Sequence, residues 1–480
     1  MTKSKILNKR SEFSKPIGNV EYLSAIDARY EDPDLTQSGL CTVTFDAIPR
    51  KILPFLRRSN SQEIVKNFDN ALSFLLMEAV VPISVYEQVM RVDGYCSITV
   101  SDISGAEEGF YEATALEFSN EAQESAPTIL YVRVNAVVPD AKDLRALKRV
   151  IECRHHQSAA FEYLGVQPKG DLFVAVYDVG QANMCAIVDH GQRPKSFFDF
   201  GWPIGFYRRS LPKCINFDPL VGDDPDHPAP VFLSHLDWDH WGYAYESGRP
   251  IKHKNGYWTT HVTYRDRVLQ RPWVMRRPSA GMKLGISHAH LMYALQNQVL
   301  QDGSSALKFW PSARAQVKWG ACTLFACNPA PGSHDAKYLR NNEALGMLVE
   351  NAQSYYFRRV LLCGDADYTS ISARFKQQLG GIVAPHHGGR VTRNSTPAPD
   401  ADAGSYRYIV FSTHDGCYSQ IPSADTIAEA TALGWKISRT DVRLKCSCGH
   451  GERRNRWFAL ASNVSPPYGP PSGSFCLTLN

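Results

Sequence analysis

Three short segments place imidazole and carboxylate side chains at the ends of apolar strands, each beside a glycine. Residues 231–242 read VFLSHLDWDHWG and offer four candidate ligands within six positions: His235, Asp237, Asp239 and His240. Residues 358–365 read RRVLLCGD and end in Gly364-Asp365, and residues 382–389 read IVAPHHGG and carry His386 and His387. A loop leaving a strand end can fold close side chains onto one point. Imidazole with carboxylate suits zinc, manganese or iron. Mixed nitrogen and oxygen donors with open positions suit catalysis, whereas closed cysteine-rich sets suit structure. Any fold open to this chain has to bring the three strand ends together.

The 480 residues fit two to three domains. A hydrophobic share of 44% and a charged share of 21% exclude a disordered chain. The net charge of +4 is uneven: residues 1–150 hold 17 basic and 21 acidic side chains, residues 151–480 hold 35 and 27. A basic surplus on the second part is compatible with an anionic substrate. The longest nearly apolar run, residues 71–85, contains Glu78 and Pro82 and is too short to span a bilayer. The basic N-terminus has no apolar core of a secretory signal. Twelve scattered cysteines do not form a disulfide framework, so no membrane and a reducing cytoplasm are expected.

Residues 61–78 have helical spacing, 128–138 alternate like a strand, and 141–153 read as a helix. Residues 1–160 carry no motif with chemistry and are expected to form an accessory α+β region that could bind a protein partner. From residue 171, short strands at 172–177, 184–188, 196–198, 231–233, 322–327, 360–363, 408–411 and 436–439 alternate with helices at 289–300, 369–379 and 423–433. Ser423 and Gly434 suit the ends of the last helix. This order suggests two β-sheets with helices outside them, and a final strand at 475–479.

The motifs resemble the metallo-β-lactamase fold, and most of all the soluble catalytic domain of the competence DNA-uptake channel family. That domain opens with D-V-G-Q, matched by Asp178-Val179-Gly180-Gln181, followed by Asp-x-Gly, matched by Asp199-Phe200-Gly201. Its S-H-x-D-x-D-H motif matches Ser234 to His240, and Asn341-Asn342-Glu343-Ala344-Leu345 approximates a further strand. Gly-Asp, P-H-H-G and a closing segment from Cys417 to Asp441 follow in order. The resemblance covers about residues 171–441. Ala182-Asn183 departs from the family's Gly-Asp, the family's membrane channel is absent, and an insert at about 243–320 is long.

The resemblance implies an α/β, αββα sandwich and a hydrolase domain over 171–480 with two divalent metal ions, zinc or manganese. His235 and Asp237 would hold one ion, Asp239 and His240 the other. Asp365 would bridge them, and either His386 or His387 would complete the second. Asp199 would orient ligands from behind. His334 is a further candidate ligand. Two such ions would make a shared water nucleophilic, with His235, Asp239 and Asp365 at the reaction centre and Asp239 guiding a proton. Cys446, Cys448 and His450 lack a fourth ligand for a separate zinc. His190 reads as a solvent-facing turn residue, and His288 and His290, at a helix start, as structural or capping residues.

Within the insert, Arg265, Arg267, Arg271, Arg276 and Arg277 interleave with Tyr264 and Trp273. Such a set can contact phosphates and stack bases, and Arg390 follows the His-His pair. The chain therefore reads as a dinuclear phosphodiesterase or nuclease, with nucleic acid or another phosphodiester as substrate, and by analogy of architecture as an effector in a bacterial defence system. The alternatives are a peptidase or amide/ester hydrolase, since fold does not fix substrate, and a non-catalytic binding or regulatory protein.

Overall fold

The computed structural model describes residues 19–29, 33–91, 94–103, 109–119, 127–135, 139–153, 164, 166–170, 172–203, 218–279, 281–328, 336–350, 359–403, 407–414, 421–442, 444–445, 452–459 and 475–479. His334, Cys446, Cys448, His450 and residues 415–420 lie outside them.

The first part of the chain closes into an antiparallel barrel of six strands. Their order around the barrel is Val20–Arg29, Leu40–Pro49, Leu75–Pro82, Tyr111–Ala115, Ile129–Asn135 and Tyr95–Ser101. Cys41, Val43, Phe45 and Ala47 point inward, against Tyr22, Met77, Ile98 and Val132. The strand Leu40–Pro49 is buried at every position after its first. Its second face, with Thr42, Thr44 and Asp46, is covered as well. The sequence alternates apolar and polar from Cys41 to Ala47, and the polar face is nonetheless buried against the rest of the fold.

Two further sheets face each other. The larger has nine strands. Along its path lie Leu307–Phe309, Trp273–Met275, Val231–Phe232, Pro194–Phe200, Met184–Asp189, Leu172–Val176, Glu452–Ala459 and Leu444–Lys445, and Phe475–Leu479 pairs with Glu452–Ala459. The other has seven: Gln316–Trp319, Cys322–Ala326, Leu345–Glu350, Arg359–Leu362, Leu379–Val383, Tyr408–Phe411 and Lys436–Arg439. Val174, Ile187, Phe198 and Phe232 of the first pack on Leu324, Met347, Val360 and Val410 of the second. A small ribbon of Tyr245–Lys252, Trp258–Tyr264 and Phe118–Ser119 completes the sheets.

The expected αββα sandwich with an accessory α+β region is overturned. A closed antiparallel barrel replaces the accessory region, and the outer covers are not two helical layers. Helices Leu53–Arg58, Ala141–Ile151 and Ile286–Asn297 share one core with the outer face of the nine-stranded sheet and with barrel residues Leu23, Ala25 and Ile48. On the far face of the seven-stranded sheet, the helix Ala424–Ala432 packs together with Tyr368 and Phe375 from short turns. The helix expected at 369–379 is two 3-10 turns, Tyr368–Ser370 and Ala373–Lys376. The helix expected at 61–78 breaks into Ser61–Lys66 and Phe68–Ala71, and Leu75 and Leu76 begin a barrel strand. Pairing with Leu40–Pro49 decides that local choice against the helical spacing. Ser423 stands at the start of Ala424–Ala432 without a side-chain hydrogen bond to it. Among the described residues no helix is long and apolar enough to cross a membrane.

Much of the insert is structural. Trp273 is fully buried in the central sheet, and its indole donates to the Val268 carbonyl at 2.9 Å. It offers no ring face to a base, which corrects the stacking role expected for it. Arg276 donates to the Cys327 carbonyl, and Arg277 to the carbonyls of Glu152 and Cys153 while its guanidinium lies over Phe309. Those groups are spent on the fold and not on phosphates. Arg265 donates to the Tyr243 carbonyl at 3.0 Å and packs on the Tyr243 ring, and Arg267 pairs with Asp218 at 3.4 Å. Arg271 is buried against Asp223 at 2.9 Å and donates to the carbonyls of Ala229 and Arg267. Arg271→Ala leaves Asp223 buried without its counter-charge. The expected loss is about 3–5 kcal/mol, read as a lowered urea midpoint with an unchanged m-value.

Candidate metal centre

All three ligand segments converge where the two facing sheets meet. Val231–Phe232 lies parallel between Pro194–Phe200 and Trp273–Met275, and the loop after it ends in the short helix Trp238–Trp241. Asp365 follows Arg359–Leu362, and His386 and His387 follow Leu379–Val383, the neighbouring parallel strand. Gly364 has φ +55, and a Cβ on it would meet Ser234 Oγ at 2.3 Å. Gly201 is as tightly placed, its missing Cβ lying 2.0 Å from the Asp239 carbonyl. Both glycines let two strand ends approach closer than any side chain allows.

Asp199 lies behind the ligands, fully buried, with φ +59. Its carboxylate accepts from Ser234 N at 2.7 Å, Ser234 Oγ at 2.9 Å, Asn183 Nδ2 at 3.1 Å and His240 Nδ1 at 2.8 Å. Ser234 Oγ, its proton given to Asp199, can accept from His235 Nδ1 at 3.0 Å. The network thus assigns the proton of both imidazoles to Nδ1 and turns both Nε2 lone pairs into the centre. His235 Nε2 and His240 Nε2 are buried and have no hydrogen-bond partner. His240 Nε2 stands 3.1 Å from Asp365 Oδ1, and His235 Nε2 stands 3.4 Å from Asp237 Oδ2.

The two adjacent histidines separate. His387 is buried, its Nδ1 donates to the Ser412 carbonyl at 2.8 Å, and its Nε2 lies 3.0 Å from Asp239 Oδ2. His386 is partly exposed. Its Nδ1 meets Asp365 Oδ2 at 2.9 Å and its Nε2 meets the Asn341 amide at 2.8 Å, so both ring nitrogens are occupied. Both residues adopt positive φ, 53° and 56°, and that turn aims the two rings in different directions.

Charge is dense here. Burial opposes the ionised form of Asp237, but Arg340 and His235 outweigh it and hold the carboxyl far below its usual range. The same opposition at Asp365 is overcome by His386 and His240, and its carboxyl also lies well below the ordinary range. Burial works against charged His240, and Asp365 and Asp199 outweigh it, raising its pKa. Burial likewise opposes charged His387, and its bond to Asp239 overcomes that and raises its pKa.

Among the described residues, donor atoms fall into two overlapping groups, His235–His240–Asp365 and Asp239–His240–His387, each within 4.8 Å. The first fits a divalent ion, because it carries the two imidazole nitrogens that make no hydrogen bond. Asp237 belongs to neither group. The sequence motifs therefore located His235, Asp239, His240, Asp365, His387 and Asp199. They did not single out Asn183, Arg340 or Ser412, which hold the others from behind. Asn183 and Arg340 are readable only as neighbours of motif residues, and Ser412 acts through its backbone, which no side-chain pattern records.

Searches found no protein-family model that matches the chain and no curated protein that does so. If one carboxylate orients both imidazoles, Asp199→Asn weakens zinc or manganese binding by about 10–100-fold. Titration against a chromophoric chelator measures this, with circular dichroism checking the fold. An unchanged affinity would show that Asp199 does not set the donors.

Proposed function

We propose that this chain is a divalent-metal-dependent hydrolase that cleaves phosphodiesters, with nucleic acid or a related anionic ester as substrate. One observation carries the reading: His235 Nε2 and His240 Nε2 are buried, make no hydrogen bond, and lie within 4.8 Å of each other and of an Asp365 oxygen. Burying polar atoms without partners is costly, and a cation bound by these donors would remove the cost. Zinc or manganese held there supplies Lewis-acid charge and lowers the pKa of a water.

The remaining roles belong to side chains. Asp239 is the more exposed partner of the Asp239–His387 pair and can take a proton at its carboxylate. His387, fixed through Nδ1 by the Ser412 carbonyl, shares that proton at Nε2 and can return it to a leaving oxygen. Asp199 and Ser234 keep the imidazoles from rotating. Arg390 is exposed three positions beyond His387 and is suited to an anionic group. With Trp273 and Arg276 built into the fold, anion binding falls to this rim and not to the insert. Seven of the described cysteines, from Cys41 to Cys363, are free and buried, which supports a reducing setting.

Asp239→Ala is expected to lower kcat/KM for a small aryl phosphodiester and for single-stranded DNA by at least about 100-fold. Fold and metal content should stay unchanged. Activity within tenfold of the parent would count against proton transfer through Asp239. Cleavage of peptides with no phosphodiester turnover would reassign the chain to amide hydrolysis.

A further inference from the structure

Asp237 sits in the middle of the ligand loop and belongs to neither donor group, although its Oδ2 lies 3.4 Å from His235 Nε2. Its Oδ1 lies 2.5 Å from Nε of Arg340, in a largely buried ion pair. Arg340 belongs to the helix Ala336–Asn342 and reaches onward, its NH2 2.8 Å from Asp27 Oδ2 on the barrel strand Val20–Arg29. One guanidinium is thus clamped between a carboxylate of the ligand loop and a carboxylate of the barrel. Arg340 cannot shed its charge. A divalent cation coordinated by Asp237 would stand against that fixed positive charge at contact distance in a low-dielectric site.

A second constraint points the same way. Both donor groups draw on His240. Its Nδ1 is committed to Asp199, so only Nε2 remains, and one lone pair ligates one ion.

We infer that the centre takes a single divalent ion, held by His235, His240 and Asp365, and that the guanidinium of Arg340 stands beside Asp237 in place of a second cation. This rests on the metal-dependent reading above. Arg340 is then a positioning residue: it neutralises Asp237 and ties the ligand loop to the barrel. Asp239 and His387 stay available for proton handling.

Native mass spectrometry and elemental analysis of the full chain, stripped with chelator and reloaded with zinc or manganese, test this directly. The wild type is expected to hold one ion per chain. Arg340→Met is expected to take up a second ion, and Arg340→Lys to remain at one. Asp237→Asn is expected to keep its ion with an affinity no more than about 100-fold below the parent, the range of an outer-sphere change, whereas His235→Ala loses it. Two ions in the wild type, or one ion in a folded Arg340→Met, would overturn the inference and leave the metal-dependent reading standing. Loss of the ion, or a drop beyond about 100-fold, in Asp237→Asn would also overturn it, and this variant decides the question if Arg340→Met does not fold. No ion in the wild type would overturn the metal-dependent reading itself, and the inference with it.

Discussion

One buried carboxylate organises the centre. Asp199 sits in a left-handed backbone conformation at the end of Pro194–Phe200 and accepts from four donors. A carboxylate removed from water is tolerable only when so many donors meet it. Three of those four contacts come from Ser234 and His240, at the two ends of the ligand motif. The loop is therefore shaped around Asp199 before any ligand is considered. Gly364, from the other sheet, closes onto Ser234 from behind. The Leu345 amide also donates to the Ser234 carbonyl at 2.9 Å. The meeting of the two sheets and the aim of the imidazoles are thus one arrangement.

The barrel is tied to this arrangement by polar links as well as by core packing. Asp46, on the buried strand Leu40–Pro49, accepts from the backbone and hydroxyl of Ser287 at the start of Ile286–Asn297. Ser287 Oγ in turn accepts from the indole of Trp238, between Asp237 and Asp239. Gly285 permits that approach, since a Cβ there would overlap the Asp46 carboxylate. Asp27 holds Arg340 from the same side. Two barrel carboxylates thus reach the ligand loop along separate routes, through an indole and through a guanidinium. A change in the barrel has a physical path to the site.

The sequence by itself named most of the imidazole and carboxylate side chains that converge here. Glycine-flanked strand ends with His235, Asp239, His240 and Asp365 are legible because a short loop can present its side chains in few ways. Many strands of the facing sheets were legible too, as short apolar runs, but Trp273–Met275, Leu307–Phe309, Gln316–Trp319 and Glu452–Ala459 were not. Of the barrel, the alternating strand Ile129–Asn135 was legible, whereas Leu40–Pro49 was not singled out although Cys41 to Ala47 alternate, and the start of Leu75–Pro82 reads as part of a helix. Tertiary structure alone decided three further matters: that Asp237 faces Arg340, that His387 and not His386 presents a nitrogen toward Asp239, and that Trp273 lies in the core. The reason is common to all three. Each depends on partners distant in sequence, Arg340 lying 103 positions from Asp237 and Asp239 148 from His387. Local spacing carries no information about contacts that only chain closure creates.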